Sequence, residues 1–201
     1  MAVAGSLVVA ESPLNLTRAK AAVIAYYRSG AYHAEVQAVA DESIAWLQQR
    51  TERRQSDERL AMVFDVDETV LSNYGHMGSQ DFGYINEVWE HWVDQGAAPP
   101  LQAVRDVYRR ARALDVAVIF LTGRRGPKAE AGTVVNLRKA EMEAYARSIF
   151  RTAAERKAAR RAQLEAEGWT IIASIGDQYS DLTGGHTERT FKLPNPFYEV
   201  P

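Results

Sequence analysis

LAMVFDVDETVLSN, residues 60–73, is the stretch on which the reading of this chain turns. Its apolar run from Leu60 to Phe64 predicts a short buried strand. The strand then ends in Asp65 and Asp67, with Glu68, Thr69 and Asn73 close behind. Two carboxylates at a buried strand end cost free energy unless a metal or hydrogen-bond donors offset it. In open α/β sheets the carboxyl ends of the strands are where ligands bind. A turn there can present both Asp side chains to one ion, so the stretch reads as a site. The blander alternative, that both acids merely cap a helix begun by Thr69, loses ground because two later segments fit the same site.

The first is DVAVIFLTGR, residues 115–124. Val116 to Leu121 predicts a buried strand, ending in Thr122, Gly123 and Arg124. A hydroxyl and free backbone N–H groups suit a phosphoryl oxygen, and glycine permits close approach. Arg124 and Arg125 either aid phosphate binding or face solvent. The second is WTIIASIGDQYSDL, residues 169–182. Thr170 to Ile175 predicts a strand, followed by Gly176 and Asp177, with Asp181 four residues on. If a helix starts there, that spacing places both carboxylates on one side, facing the same ion as Asp65. An all-oxygen donor set without cysteine or clustered histidine suits a hard cation, Mg²⁺ foremost. ERTFKLPNPFY, residues 188–198, predicts a short edge strand, Thr190 to Leu193, closed by Pro194 and Pro196. Strands alternating with helices argue for a doubly wound α/β sheet.

FDVDETVLSN resembles the first motif, D-x-D-x-T, of the haloacid-dehalogenase-like (HAD) superfamily. With GDQYSDL at 176–182 and FKLPNPFY at 191–198, the chain is similar to the plant and bacterial class B/C-type acid phosphatases of that superfamily. The similarity runs from about Asn15 to the C-terminus. It implies a Rossmann-like parallel sheet with a small helical cap, in one domain spanning 1–201. It also implies phosphomonoester hydrolysis. Asp65 would be the nucleophile that forms an aspartyl-phosphate, and Asp67 the general acid and base. Mg²⁺ would be held by Asp65, the Asp67 carbonyl, Asp177 and Asp181, and phosphoryl oxygens by Thr122, the Gly123 N–H and Lys157. Lys157, Arg161, Leu164, Gly168 and Trp169 match the family spacing K-x-x-x-R-x-x-L-x-x-x-G-aromatic. Lys139 is the alternative lysine, and a plain surface-helix lysine the bland reading. An acid at position 67 separates the chain from dehalogenases and from ion-pumping ATPases. Its rivals are a phosphotransferase on the same scaffold and a storage or binding protein that kept the fold; the presence of Asp65 speaks against the latter.

Helices are predicted from Asn15 to Gly30 and from Tyr32 to Gln49. By the resemblance, these helices (15–50) form a cap or side subdomain with the insert at 73–100. That insert begins Gly-rich and becomes a short aromatic helix ending at Pro99 and Pro100. Its rings include Tyr74, Phe82, Tyr84, Trp89 and Trp92. Tyr74, Trp89 and Trp92 are read as substrate-binding rings that stack on an aromatic part of the substrate, such as a nucleobase. The alternative is that they only pin the insert to the core. Between Gly126 and Gly168 the chain is shorter than its relatives. Met142 to Phe150 offers no obvious strand, so an edge strand is expected to be missing or replaced by helix.

A length of 201 residues suits one domain with a decorating subdomain. A net charge of −2 implies no polyanion-binding surface, so the partner expected is a small phosphomonoester rather than a nucleic-acid polymer. The absence of cysteine excludes disulfides and thiol catalysis. No segment is long enough to span a membrane. The apolar start, MAVAGSLVVAES, lacks a basic n-region and reads as a loose arm, or as the tail of a signal peptide if the true start lies upstream. The location would then be periplasmic or secreted, and otherwise cytoplasmic. The oligomeric state stays open, a homodimer included.

Overall fold

The computed structural model describes residues 14–150 and 156–200; the expected N-terminal arm lies outside them. Among the described residues five parallel strands form one sheet: β1 (Arg59–Phe64), β2 (Ala117–Thr122), β3 (Arg147–Phe150), β4 (Trp169–Gly176) and β5 (Thr190–Lys192). Their order is β3-β2-β1-β4-β5. The sheet starts at its central strand β1, winds out to β3, then crosses back to β4 and β5. The winding therefore reverses between β1 and β4, and the carboxyl ends of those two strands flank the switch-point crevice.

Successive residues of β1 point to opposite faces. Leu60, Met62 and Phe64 enter the larger core, while Ala61 and Val63 enter a smaller one. Helices α1 (Leu16–Arg28) and α2 (Ala31–Thr51) precede the sheet. Asn15 caps α1 as expected, its Oδ1 accepting from the Arg18 N–H at 3.3 Å. Gly30, at φ 86°, turns the chain into α2. A stripe of Tyr32, Val36, Ala40, Ser43 and Leu47 buries α2 in the larger core. There it meets α5 (Gln102–Ala113), whose Val104, Val107, Tyr108 and Ala111 form the facing stripe. On the other side of the sheet, α7 (Lys157–Ala166) seats Leu164 against Ala61, Val63 and Ile119. Helices on both faces of a parallel sheet make three layers. No helix of the described residues is long and apolar enough to cross a membrane.

Two local expectations differ from the structure. The edge strand expected to be missing is present as β3, paired in parallel with β2. It is only four residues long, and none of them is fully buried. No apolar run marks it in the sequence, so its backbone pairing makes it a strand. The aromatic insert forms two helices rather than one, α3 (Tyr74–Ser79) and α4 (Asn86–Gln95).

The insert is fastened to α6 (Pro127–Lys139). Asn136 donates to the Ala98 carbonyl at 2.7 Å and accepts from the Ala98 N–H at 3.1 Å. Gly132 faces α4 so closely that a Cβ there would sit 2.2 Å from the Val93 carbonyl oxygen. Alanine in place of a helical glycine ordinarily gains about 0.5–1 kcal/mol. Overpacking against a backbone atom costs about 1–3 kcal/mol, so the clash wins. Gly132→Ala should therefore lower the urea midpoint; an unchanged or raised midpoint would show that α4 is not held in this close packing.

Candidate active site

Asp65 directly follows β1, and its N–H extends the ladder to the Ile175 carbonyl at 3.0 Å. Asp177 directly follows β4. Asp181 lies in the short helix α8 (Tyr179–Leu182) and returns toward the end of β4. The helix starts at Tyr179 with Gln178 as its cap, so Asp177 is outside it. The two acids are brought together by a capping box, in which Asp181 Oδ2 accepts from the Gln178 N–H at 2.9 Å. Only glycine fits at 176: a Cβ there would come within 2.5 Å of the Asp181 side chain. One carboxylate oxygen from each of Asp65, Asp177 and Asp181 lies within 4.8 Å of the others, and all three residues are buried.

The donors around this cluster are few and specific. Lys157, at the start of α7, pairs with Asp65 and, at 2.6 Å, with Asp181 Oδ1. The Thr69 hydroxyl lies 3.1 Å from Asp65 Oδ2 and 3.2 Å from Asp177 Oδ1, and its single proton serves one of them at a time. Asp177 Oδ2 also accepts from Gln178 and Asn195 at 2.5 and 2.7 Å. Burial pushes the Asp65 carboxyl well above its ordinary range; Lys157 opposes this, and the charges of Asp181, Asp177 and Asp67 reinforce it. Asp177 is likewise raised, by burial and by Asp181. Burial works against the charge of Lys157, but Asp65 and Asp181 outweigh it and its pKa is raised. Among the described residues, three buried carboxyl groups share one ammonium, that of Lys157. Mg²⁺ takes oxygen ligands about 2.1 Å away, and carboxylate oxygens gathered this closely can be drawn onto one such ion. The donor set therefore fits a hard divalent cation.

The Asp67 side chain turns away from this cluster. Its Oδ1 accepts from Arg124 Nη2 at 2.7 Å and from Asn73 Nδ2 at 2.8 Å. Of the two arginines left open by the sequence, Arg124 is buried and Arg125 exposed. Gly123 shares a small well with Asp65, Asp67, Lys157 and Asp177, and Thr122 is buried at the end of β2. Lys139 is remote in role: its Nζ donates to the Gln95 and Gly96 carbonyls, capping the end of α4.

The three rings singled out in the insert are placed differently. Trp92 donates to Asn73 Oδ1 at 2.8 Å and stacks on His76. Tyr74 stacks on Tyr27 at 3.5 Å between ring centres. Trp89 instead lines two cavities that both reach Asp67. One is mixed, with Asn86, Glu90, Arg124 and Arg125 beside Tyr84 and Val93; the other, of about 390 Å³, is mainly apolar, with Met77, Phe82, Phe197 and Tyr198.

Other site residues carry little or no sequence signal. Arg161 is fully buried, and its guanidinium donates to the carbonyls of Asp181, Thr183 and Gly185, fixing the loop that follows the cluster. Only its spacing from Lys157 marked it. Glu68 is buried at φ 50° and accepts from the Asn73 N–H at 2.6 Å and the Tyr198 hydroxyl at 2.7 Å. A left-handed glutamate is a strained conformation of the kind that gathers at functional sites.

A family model described as HAD superfamily, subfamily IIIB (acid phosphatase), matches residues 9–201. The chain belongs to this family. It is 37% identical to the stem 28 kDa glycoprotein of Glycine max, over 69% of this chain and 59% of that protein. It is 33% identical to acid phosphatase 1 of Solanum lycopersicum, over 84% of this chain and 69% of that one. The match to the soybean protein thus spans about three fifths of its length. The class C acid phosphatase from Bacillus anthracis shares the fold, with a TM-score of 0.77 and 20% identity over 92% of this chain and 85% of that one. The HAD-like α/β sheet expected from the resemblance is therefore the fold of this member of subfamily IIIB.

Burial and the charge of Asp67 push the Glu68 carboxyl from 4.5 up to about 8, against the pull of Asn73 and Tyr198. Between those values the folded chain holds a proton that the unfolded chain has released. The contribution to stability is thus complete at low pH and declines as pH rises toward about 8. In urea melts with chelator present, Glu68→Gln should flatten part of that decline. An unchanged slope would place the titration elsewhere.

Proposed function

We propose that this chain is a Mg²⁺-dependent acid phosphatase that hydrolyses phosphate monoesters, nucleoside monophosphates among them, through an aspartyl-phosphate. The observation that carries the reading is the contrast between two aspartates two residues apart. Asp65 is buried among carboxylates and Lys157, while Asp67 lines the same well outside the acidic cluster, held by Arg124 and Asn73. Environments that differ this much suit two different roles.

In the proposed reaction an Asp65 carboxylate oxygen attacks phosphorus and the bond to the ester oxygen breaks. Asp67 gives its proton to the departing alkoxide. A water then attacks the phosphorus of the aspartyl-phosphate, Asp67 takes that water's proton, and Asp65 leaves as a carboxylate with inorganic phosphate as product. Lys157, the Gly123 N–H and Thr122 hold phosphoryl oxygens while charge shifts. Mg²⁺, when bound by Asp65, Asp177, Asp181 and the Asp67 carbonyl, supplies positive charge between the carboxylate nucleophile and an anionic phosphate. The apolar cavity beside Asp67 takes the leaving group, with Trp89 as the stacking ring and Trp92 and Tyr74 as its supports.

The two aspartates should fail differently. With Mg²⁺ and an aryl phosphate, Asp65→Asn should form no phosphoenzyme. Asp67→Asn should accumulate phosphate on Asp65, seen by mass spectrometry after an acid quench, because water attack lacks its base. Turnover should fall about 10²–10⁴-fold. Normal turnover of alkyl phosphates by Asp67→Asn, or full activity of the wild type in EDTA, would defeat the mechanism. A storage protein that kept the fold would show no phosphoenzyme with any variant.

Substrate choice should follow Trp89. Base stacking on an aromatic ring is worth about 1–3 kcal/mol in single-strand binding proteins, so Trp89→Ala should raise KM for nucleoside monophosphates several-fold or more. KM for small aliphatic phosphates should change little. Trp92→Ala should instead lower the melting temperature. Equal KM changes on both substrate classes for Trp89→Ala would mean that Trp89 only packs.

A further inference from the structure

Arg124 carries more than its place beside the site requires. Its side chain is 2% exposed, although the next residue is an ordinary surface arginine. Nε lies 3.1 Å from both Asp67 oxygens and Nη2 lies 2.7 Å from Oδ1. The fork is itself held in place. Nη1 donates to Thr133 Oγ1 at 3.0 Å, and the Thr133 hydroxyl spends its own proton on the Ala129 carbonyl at 2.6 Å. The Arg124 N–H donates to Thr122 Oγ1 at 3.1 Å, and the Trp89 ring lies 5.8 Å from the guanidinium carbon. The first turns of α6 and helix α4 thus hold the guanidinium, Thr122 at the end of β2 holds the backbone that carries it, and its fork is spent on one carboxylate.

That carboxylate has a competing partner. Asp67 and Lys157 line the same well, and Lys157 is the ammonium that already pairs with Asp65 and Asp181. A mobile Asp67 side chain would be drawn toward that ammonium and away from the cavities where a leaving group sits. We propose that Arg124 is the positioning residue for Asp67: it acts through that carboxylate, holding it toward the leaving-group oxygen, rather than by binding the phosphoryl group. The inference rests on the phosphatase reading above. A planar guanidinium fits a carboxylate in a way that an ammonium does not, so lysine at 124 would keep the charge and lose the alignment.

The test compares leaving groups. Wild type, Arg124→Ala, Arg124→Lys and Thr133→Val are assayed with Mg²⁺ on para-nitrophenyl phosphate and on glycerol phosphate. Nitrophenolate departs without a proton, whereas an alkoxide needs one, and kcat/KM reports the phosphorylation step. In Arg124→Ala, kcat/KM for glycerol phosphate should fall about 10²-fold or more, the scale of general acid catalysis, and fall far less for the aryl ester. The inhibition constant of inorganic phosphate should stay near the wild-type value. Millimolar guanidinium should restore glycerol phosphate turnover to Arg124→Ala but not to Asp67→Asn. Thr133→Val, which leaves Arg124 in place, should show a smaller loss with the same leaving-group pattern, and so carries the test if Arg124→Ala does not fold. Equal losses on both esters with a weakened phosphate inhibition constant would make Arg124 a phosphate ligand and overturn the proposal. So would folded Arg124 variants with wild-type kinetics on both esters. A wild type inactive on both esters overturns the phosphatase reading, and this inference with it.

Discussion

Three carboxylates buried at the ends of two adjacent parallel strands are the constraint on which the rest of the site depends. Water cannot stabilise them, so neighbouring groups must. Lys157 supplies one charge, and Thr69, Gln178 and Asn195 supply hydrogen-bond donors. The backbone bends to the same need. Gly176 lacks a side chain because Asp181 occupies the space, and Arg161 is buried because its guanidinium holds the carbonyls of the loop just beyond Asp181. These residues come from β1, β4, α7, α8 and the C-terminal segment. The arrangement therefore exists only when the sheet order brings β4 beside β1.

Asp67 shows how little sequence distance is needed to change an environment. Two residues beyond the buried nucleophile candidate, its carboxylate faces a guanidinium and an amide instead of other acids. The strand has ended, so the period-two rule no longer places the two side chains on one face. The hydrogen-bonded loop from Val66 to Leu71 sets their directions instead, with the Val70 and Leu71 N–H groups both donating to the Val66 carbonyl. One turn thus separates the proposed nucleophile from the proposed acid.

Much of this was legible because strand ends are local. Apolar runs closing on Asp65, Thr122 and Asp177 name the strands, their ends and the side chains delivered there. Lys157 was legible through its spacing to Arg161, Leu164 and Gly168, although only the fold shows it against Asp65 while Lys139 caps a helix. What stayed hidden depends on long-range geometry. Strand β3 carries no apolar run and exists through pairing with β2. Arg124 looked the same as Arg125 until one was buried against Asp67. Glu68 read as a polar neighbour of the motif, yet it accepts a hydrogen bond from Tyr198, 130 residues further along the chain. The rings of the insert were visible as a group, but which of them faces a cavity depends on how α4 docks on α6.

That docking is not separable from the chemistry. Fully buried Asn73 accepts from Trp92 at 2.8 Å and donates from one amide nitrogen to Asp67 at 2.8 Å and to Glu68 at 3.1 Å. One side chain therefore anchors the aromatic insert, orients the proposed acid and helps satisfy the strained glutamate that receives the C-terminal tyrosine. A shift of α4 that stretched the Trp92 contact would rotate the Asn73 amide, and Asp67 would lose one of its two holders. Arg124 is the other, and it too touches the insert, through Trp89. Both supports of Asp67 thus touch the element whose rings line the cavities beside it. In the proposed reaction, the recognition of a leaving group and the placement of the acid would be set by the same contacts. A substitution among the insert rings should therefore be judged by its effect on proton transfer as well as on binding.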